Sequence, residues 1–171
     1  MISKLIRDAV KTQLAASTTG LNDRLAALAA SYATDPYVID WSATSPNFIF
    51  GRVNPVAFEE SSVFIFPLLT IDTVRTQDTR RIKFATFAGP VVVTIDVHHS
   101  WPQESVLGDF ASLVDLTEDA VISTLNDQNH QVWPGNVLWN GQITLQRGAI
   151  AMGGYGWLQS LQFICNFEVV V

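Results

Sequence analysis

The chain has 171 residues, of which 48% are hydrophobic and 11% aromatic, and its formal net charge is −6. A chain of this length and composition can bury a substantial core, so we expect one domain over residues 1–171. No apolar run approaches the roughly 20 residues of a membrane-spanning helix, and charged residues interrupt residues 1–17, so neither a membrane span nor a signal peptide is expected. The single cysteine, Cys165, excludes an internal disulfide and favours a reducing compartment.

The first third of the chain combines two helical patterns with an extended segment. Residues 2–16 and 21–33 carry apolar side chains at helical spacing, so residues 1–34 are predicted to form N-terminal helices. Residues 35–62 contain three X-Pro pairs, which favour an extended loop with a possible short strand at residues 48–53. Residues 63–171 are then expected to form the sheet-and-helix core.

Alternating apolar residues predict the strands of this core. In residues 89–101 and 158–171 every second side chain is apolar, which is typical of strands with one buried face, and this places Cys165 in the core. Pro67 lies within another strand-like run and favours an edge strand or a bulge there. Gly153 and Gly154 separate two strand-like runs and predict a hairpin.

A long amphipathic helix over residues 101–126 completes the predicted fold. Ser100 and Gln103 have capping-box spacing, so the helix is expected to begin beside Trp101. One face is apolar, and the other carries the acidic residues Asp109, Asp115, Glu118 and Asp119. The sequence therefore predicts an α+β domain in which a mostly antiparallel four-stranded sheet is packed by this long amphipathic helix, plus the N-terminal helical segment.

Charge is distributed unevenly along the chain. Residues 1–83 hold nine of the ten lysines and arginines, whereas residues 84–171 hold only Arg147 against eight acidic residues. A loop of about 15 residues is predicted at residues 75–89, and it carries Arg75, Arg80, Arg81, Lys83, Phe84 and Phe87. A solvated loop and a phosphate contact are alternatives, and sequence-specific nucleic-acid binding is not expected. The basic loop of one copy is predicted to pair with the acidic helix face of the next copy, head to tail, so that the copies close into a ring.

Few residues suggest chemistry. Asp96 and His98 share one strand face and, with His99 and Glu104 nearby, suggest ligands of a divalent metal. However, His99 points to the opposite face, no third ligand has diagnostic spacing, and no nucleophile motif is present. No catalytic residue, metal site or cofactor is therefore predicted.

The order of these elements resembles a known family. The Pro-bearing strand FIFPLLTI is followed by FAGPVVVTIDVHHSW, by the helix LGDFASLVDLTEDAVISTL and by the closing strand LQFICNFEVVV. Over residues 60–171 this layout resembles the tail terminator, or tail completion, proteins of long-tailed bacteriophages. The match is one of element order, without an invariant signature, and the N-terminal helices and residues 35–60 depart from the family pattern.

The resemblance implies a structural virion protein of the phage neck, assembled in the host cytoplasm and without enzymatic activity. Such proteins form rings, commonly hexameric, that cap the tail tube protein and join it to the head connector or stopper protein. An acidic lumen, for which Asp109, Asp115, Glu118 and Asp119 are candidates, would let DNA pass without specific binding. Two alternatives remain open: a head-completion or adaptor protein of the same neck, and a small metal-dependent hydrolase that uses Asp96, His98 and Glu104.

Overall fold

The structure is a computed structural model that describes residues 1–32, 47–59, 66–76, 80–82, 84–102, 107–127, 132–154 and 156–171. Within these ranges four helices are present: α1 (Ile2–Leu14), α2 (Leu21–Tyr32), α3 (Pro55–Glu59) and α4 (Leu107–Asn126). The strands are β1 (Phe48–Phe50), β2 (Leu68–Arg75), β3 (Arg80–Ile82), β4 (Ala85–Pro102), β5 (Val137–Arg147), β6 (Ala151–Met152) and β7 (Gly156–Val170). The two N-terminal helices lie where the sequence predicts them.

All seven of these strands belong to one mixed sheet. Its main path runs β1-β2-β4-β7-β5, while β3 also pairs with β4 and β6 also pairs with β7. The β1–β2 pair is parallel and the other pairs are antiparallel. The fold is α+β, but the predicted four-stranded sheet packed by one long helix is wrong. The three-residue strand β3 was missed because so short a segment carries no periodic signal, whereas β1 lies within the short strand predicted at residues 48–53.

Three helices cover the apolar face of this sheet. α1 contacts β2, β4, β5 and β7, and α2 packs against α4. The predicted alternation is confirmed in the two central strands: Val93 and Ile95 of β4, like Phe163 and Cys165 of β7, are fully buried in one core cluster. A strand presents alternate side chains to one face, so β4 and β7 each bury every second residue under the helices.

The long helix begins later than its capping-box signal indicates. α4 starts at Leu107, whereas Trp101 and Pro102 are the last residues of β4 and pair with Trp157 and Gly156 of β7. Residues 103–106, including Gln103, lie outside the described ranges. The prediction that the helix begins beside Trp101 is wrong because pairing with β7 extends β4 through this position.

Pro67 does not mark an edge strand or a bulge. It immediately precedes β2, which lies between β1 and β4 in the sheet. A proline has no N–H to donate to a strand ladder, and just before the first strand residue none is required. The predicted extended loop at residues 35–62 is also interrupted, by β1 and α3, while residues 33–46 and 60–65 lie outside the described part of the chain.

Candidate subunit-contact surfaces and a polar cleft

The basic segment forms a hairpin. β3 pairs antiparallel with the first residues of β4, and Arg81 is the register partner of Thr86. Arg75 ends β2, and residues 85–89 belong to β4, so the predicted 15-residue loop over residues 75–89 is wrong. Lys83, residues 77–79 and the side chain of Arg80 lie outside the described part of the chain. We refer to residues 80–87 as the basic hairpin.

The basic hairpin presents an aromatic side chain to solvent. Phe84 has a relative exposure of 101%, and Arg81 is also exposed, whereas Phe87 is half-buried. At the same end of the sheet Val74 of β2 is 56% exposed. Full burial of an exposed phenylalanine is worth about 1.5–3 kcal/mol, so Phe84 is a strong anchor for an interface.

The acidic face of α4 is partly neutralised within the chain. Asp109, Asp115 and Asp119 are exposed and Glu118 is half-buried. The Arg147 guanidinium lies 2.5 Å from a carboxylate oxygen of Asp115 and 2.5 Å from one of Glu118. Burial acts to lower the pKa of Arg147, but its hydrogen bonds to the two carboxylates outweigh this effect and raise the pKa. Among the side chains that the structure describes, none forms an ion pair with Asp109 or Asp119.

The basic hairpin and the acidic face lie at opposite ends of the sheet. Arg147, which binds Asp115, pairs with Leu161 of β7, and Leu161 pairs with Val97 of β4. The hairpin joins β4 at Ala85. Ala85 and Val97 are twelve residues apart, which corresponds to at most roughly 40 Å at about 3.3 Å per residue. The two surfaces therefore cannot meet within one chain.

A cavity opens beside the acidic face. It has a volume of about 380 Å³ and lies between the end of α2 and the middle of α4. Its lining residues are Tyr32, Ser112, Asp115, Leu116 and Asp119. We refer to it as the α2–α4 cavity; it combines apolar walls with carboxylates.

The face of the sheet that carries Asp96 and His98 holds a polar cleft of about 500 Å³. Nδ1 of His98 lies 2.7 Å from Oγ of Ser160, and the Gln162 amide donates a 2.7 Å hydrogen bond to Asp96. Burial lowers the pKa of His98, although the Asp96 carboxylate acts in the opposite direction. The sequence analysis missed Ser160, because its place opposite His98 depends on the β4–β7 register.

The cleft brings together only two of the suggested metal ligands. Asp96 and His98 both line it, whereas His99 is fully buried on the opposite face, against Phe110. Glu104 lies outside the described residues. Across the ranges that the structure describes, no three side chains of histidine, cysteine, aspartate or glutamate are grouped to hold a metal ion.

Comparison with known proteins assigns no relatives. No protein-family model matches the chain, and no curated protein matches it at a significant level. None of the helices in the described ranges has both the length and the apolar character required to cross a membrane. The surfaces described above are therefore the basis for a functional assignment.

Proposed function

We propose that the chain is a non-enzymatic structural subunit of a phage neck, a tail terminator that forms a ring on the end of the tail tube. The observation that carries this proposal is the separation of the basic hairpin from the acidic face of α4 by roughly 40 Å along β4. Complementary surfaces that cannot meet in one chain can meet between copies. Since the two surfaces differ, the contact is head to tail, and such contacts close into rings when the rotation between copies permits it.

The resemblance in element order supplies the rest of the proposal. The ring, commonly hexameric in that family, would cap the tail tube protein, end its polymerisation and bind the head connector or stopper protein. It would be assembled in the host cytoplasm and remain in the virion.

The charges of α4 indicate which carboxylates would line the lumen of the ring. Because Arg147 binds both Asp115 and Glu118, it neutralises one of the two negative charges and holds both carboxylates at the end of β5. Asp109 is exposed and does not line the α2–α4 cavity, so it remains the candidate to repel the DNA backbone and let DNA pass without specific binding, while Asp119 remains available for a subunit contact.

The direct test is the mass in solution, measured by light scattering coupled to size exclusion, for the protein alone and after mixing with purified tail tubes. We expect a closed assembly of about six 18.8 kDa chains, alone or on tube ends. Assembly with portal or stopper protein, without affinity for tubes, would replace the terminator by a head-side adaptor. A protein that stays monomeric with every one of these partners would overturn the proposal.

Charge reversal tests the contact itself. Replacing Arg80, Arg81 and Lys83 by glutamate should dissociate the assembly, because the hairpin would then repel the acidic face. The matched control reverses Lys4, a 64% exposed lysine on α1, and should leave the mass unchanged. An assembly that survives the triple reversal would show that another surface joins the copies.

A further inference from the structure

The α2–α4 cavity has the features of a receptor for an aromatic side chain. Leu116, only 4% exposed, provides its floor, and Tyr32, 66% exposed, stands at its edge. Asp119, also a lining residue, makes no ion pair with the side chains that the structure describes. An apolar floor beneath a charged edge is the usual composition of an interface hot spot.

The basic hairpin provides a matching group. Phe84 is fully exposed at its turn, and Arg81 lies exposed on β3 just before it. An aromatic ring next to a guanidinium complements a cavity that offers an apolar floor and a carboxylate. The distance between hairpin and cavity along β4 requires that the two come from different copies.

Two other cavities are less suited to bind Phe84 and Arg81. The cavity beside α1 is lined by Lys4 and Asp8, which bind each other and so leave no free carboxylate for Arg81. The polar cleft is lined by Arg52 and Arg147, which would repel a third guanidinium. Unlike these two cavities, the α2–α4 cavity offers an apolar floor together with the Asp119 carboxylate, which makes no ion pair with a described side chain.

We propose that Phe84 of one copy inserts into the α2–α4 cavity of the next copy, where Arg81 meets Asp119. This inference rests on the proposed ring and specifies its subunit contact. Each copy carries Phe84 at one end of the sheet and the α2–α4 cavity at the other. The same contact can therefore be repeated around a closed ring without leaving either surface unused.

Disulfide trapping tests the contact. Chains with Ala85→Cys, which keep the Phe84 ring, are mixed with chains with Ser112→Cys and exposed to mild oxidation. We expect a crosslinked pair that forms faster than in either chain alone, since a disulfide requires Cα atoms within about 7 Å. The native Cys165 does not interfere because it is buried and burial raises its pKa to about 12. The double variant should give a ladder of crosslinked oligomers.

The matched control pairs Ala85→Cys with Val171→Cys, which is 73% exposed and lies at the hairpin end of the sheet, where its N–H donates to the carbonyl of Thr86. It should crosslink no faster than the single variants. If light scattering finds a ring but the 85–112 pair crosslinks no faster than this control, the inference is overturned while the ring proposal stands. If no assembly forms even with tail tubes, both are overturned.

A second measurement separates a lost contact from a folding defect. Phe84→Ser should weaken self-association by about tenfold to a hundredfold, because it removes the buried ring from the interface. The midpoint of monomer unfolding should not change, because Phe84 is fully exposed in the single chain. Unchanged association of Phe84→Ser would overturn the inference.

Discussion

A buried histidine should make the stability of this fold depend on pH. His99 is fully buried, and burial, assisted by the positive charges of His98 and Arg147, lowers its pKa from 6.5 to about 3. In the unfolded chain the imidazole regains its ordinary pKa. As pH falls below 6.5, the unfolded state therefore binds a proton that the folded state excludes, and the free energy of unfolding decreases. The stabilisation is complete above pH 6.5 and is lost progressively between pH 6.5 and about 3.

The magnitude follows from the linkage relation. Once the histidine is protonated in the unfolded chain, the free energy of unfolding falls by about 1.4 kcal/mol for each pH unit. Acidification from pH 7 to pH 5 should therefore lower the free energy of unfolding by about 2 kcal/mol. Burial also lowers the pKa of His98, which adds a loss of the same sign. Aspartate and glutamate side chains ordinarily titrate near pH 4 and contribute little in this window.

The assay is urea unfolding at pH 7, 6 and 5, with tryptophan fluorescence as the signal. The chain with the native His99 is compared with His99→Leu, and both carry glutamate at residues 80, 81 and 83, the replacement expected to dissociate the assembly, so that association does not contribute. The variant retains His98 and His130, so the difference between the two pH slopes isolates His99. We expect the chain with the native His99 to lose about 2 kcal/mol more than the variant between pH 7 and pH 5. Parallel pH dependence would refute the reasoning, as would an NMR titration that protonates the His99 ring in the folded protein above pH 5.

Three further predictions follow from local packing. Gly156→Ala should cost about 2 kcal/mol or more in urea unfolding, because its Cβ would lie 2.0 Å from the Trp101 carbonyl oxygen, whereas Gly148→Ala meets its nearest atom at 3.3 Å and should be far milder. Arg147→Gln should cost no more than about 1 kcal/mol for each exposed ion pair that it removes, and a larger loss would mean that the pairs with α4 are stronger than their exposure indicates. The Cys165 thiol, whose pKa burial raises to about 12, should resist a disulfide reagent at pH 8 until the protein unfolds, and rapid labelling of the folded chain would contradict its burial.

The sequence predicts best those elements that bury one face over a long stretch. β4 and β7 alternate over more than a dozen residues, and α1 and α2 keep apolar side chains at helical spacing, so each pattern repeats often enough to be recognised. The hairpin at Gly153 and Gly154 is also confirmed, since β6 and β7 pair on either side of it. These patterns can be recognised in the sequence because the apolar side chains of each element produce them without help from distant residues.

The elements that the sequence analysis missed depend on distant partners. β3 has three residues, and it becomes a strand only because β4 offers backbone groups for pairing. The capping-box pattern before α4 predicted the wrong helix start for the same reason, because pairing with β7 extends β4 to Pro102. The contacts between His98 and Ser160 and between Arg147 and Glu118 join residues far apart in sequence, and no local pattern predicts them.

Because β4 is long, the same sheet both forms the core and carries the basic hairpin. It has 18 residues, whereas a typical strand has about five or six. Residues 91–97 provide its central buried row, and the residues before them carry the pairing with β3. Extending a strand that is already fixed by the core adds a rigid surface without a separate domain. The basic hairpin is therefore held by the same strand that forms the core, and in the proposed ring this connection would give every copy the same rotation to the next, as closure requires.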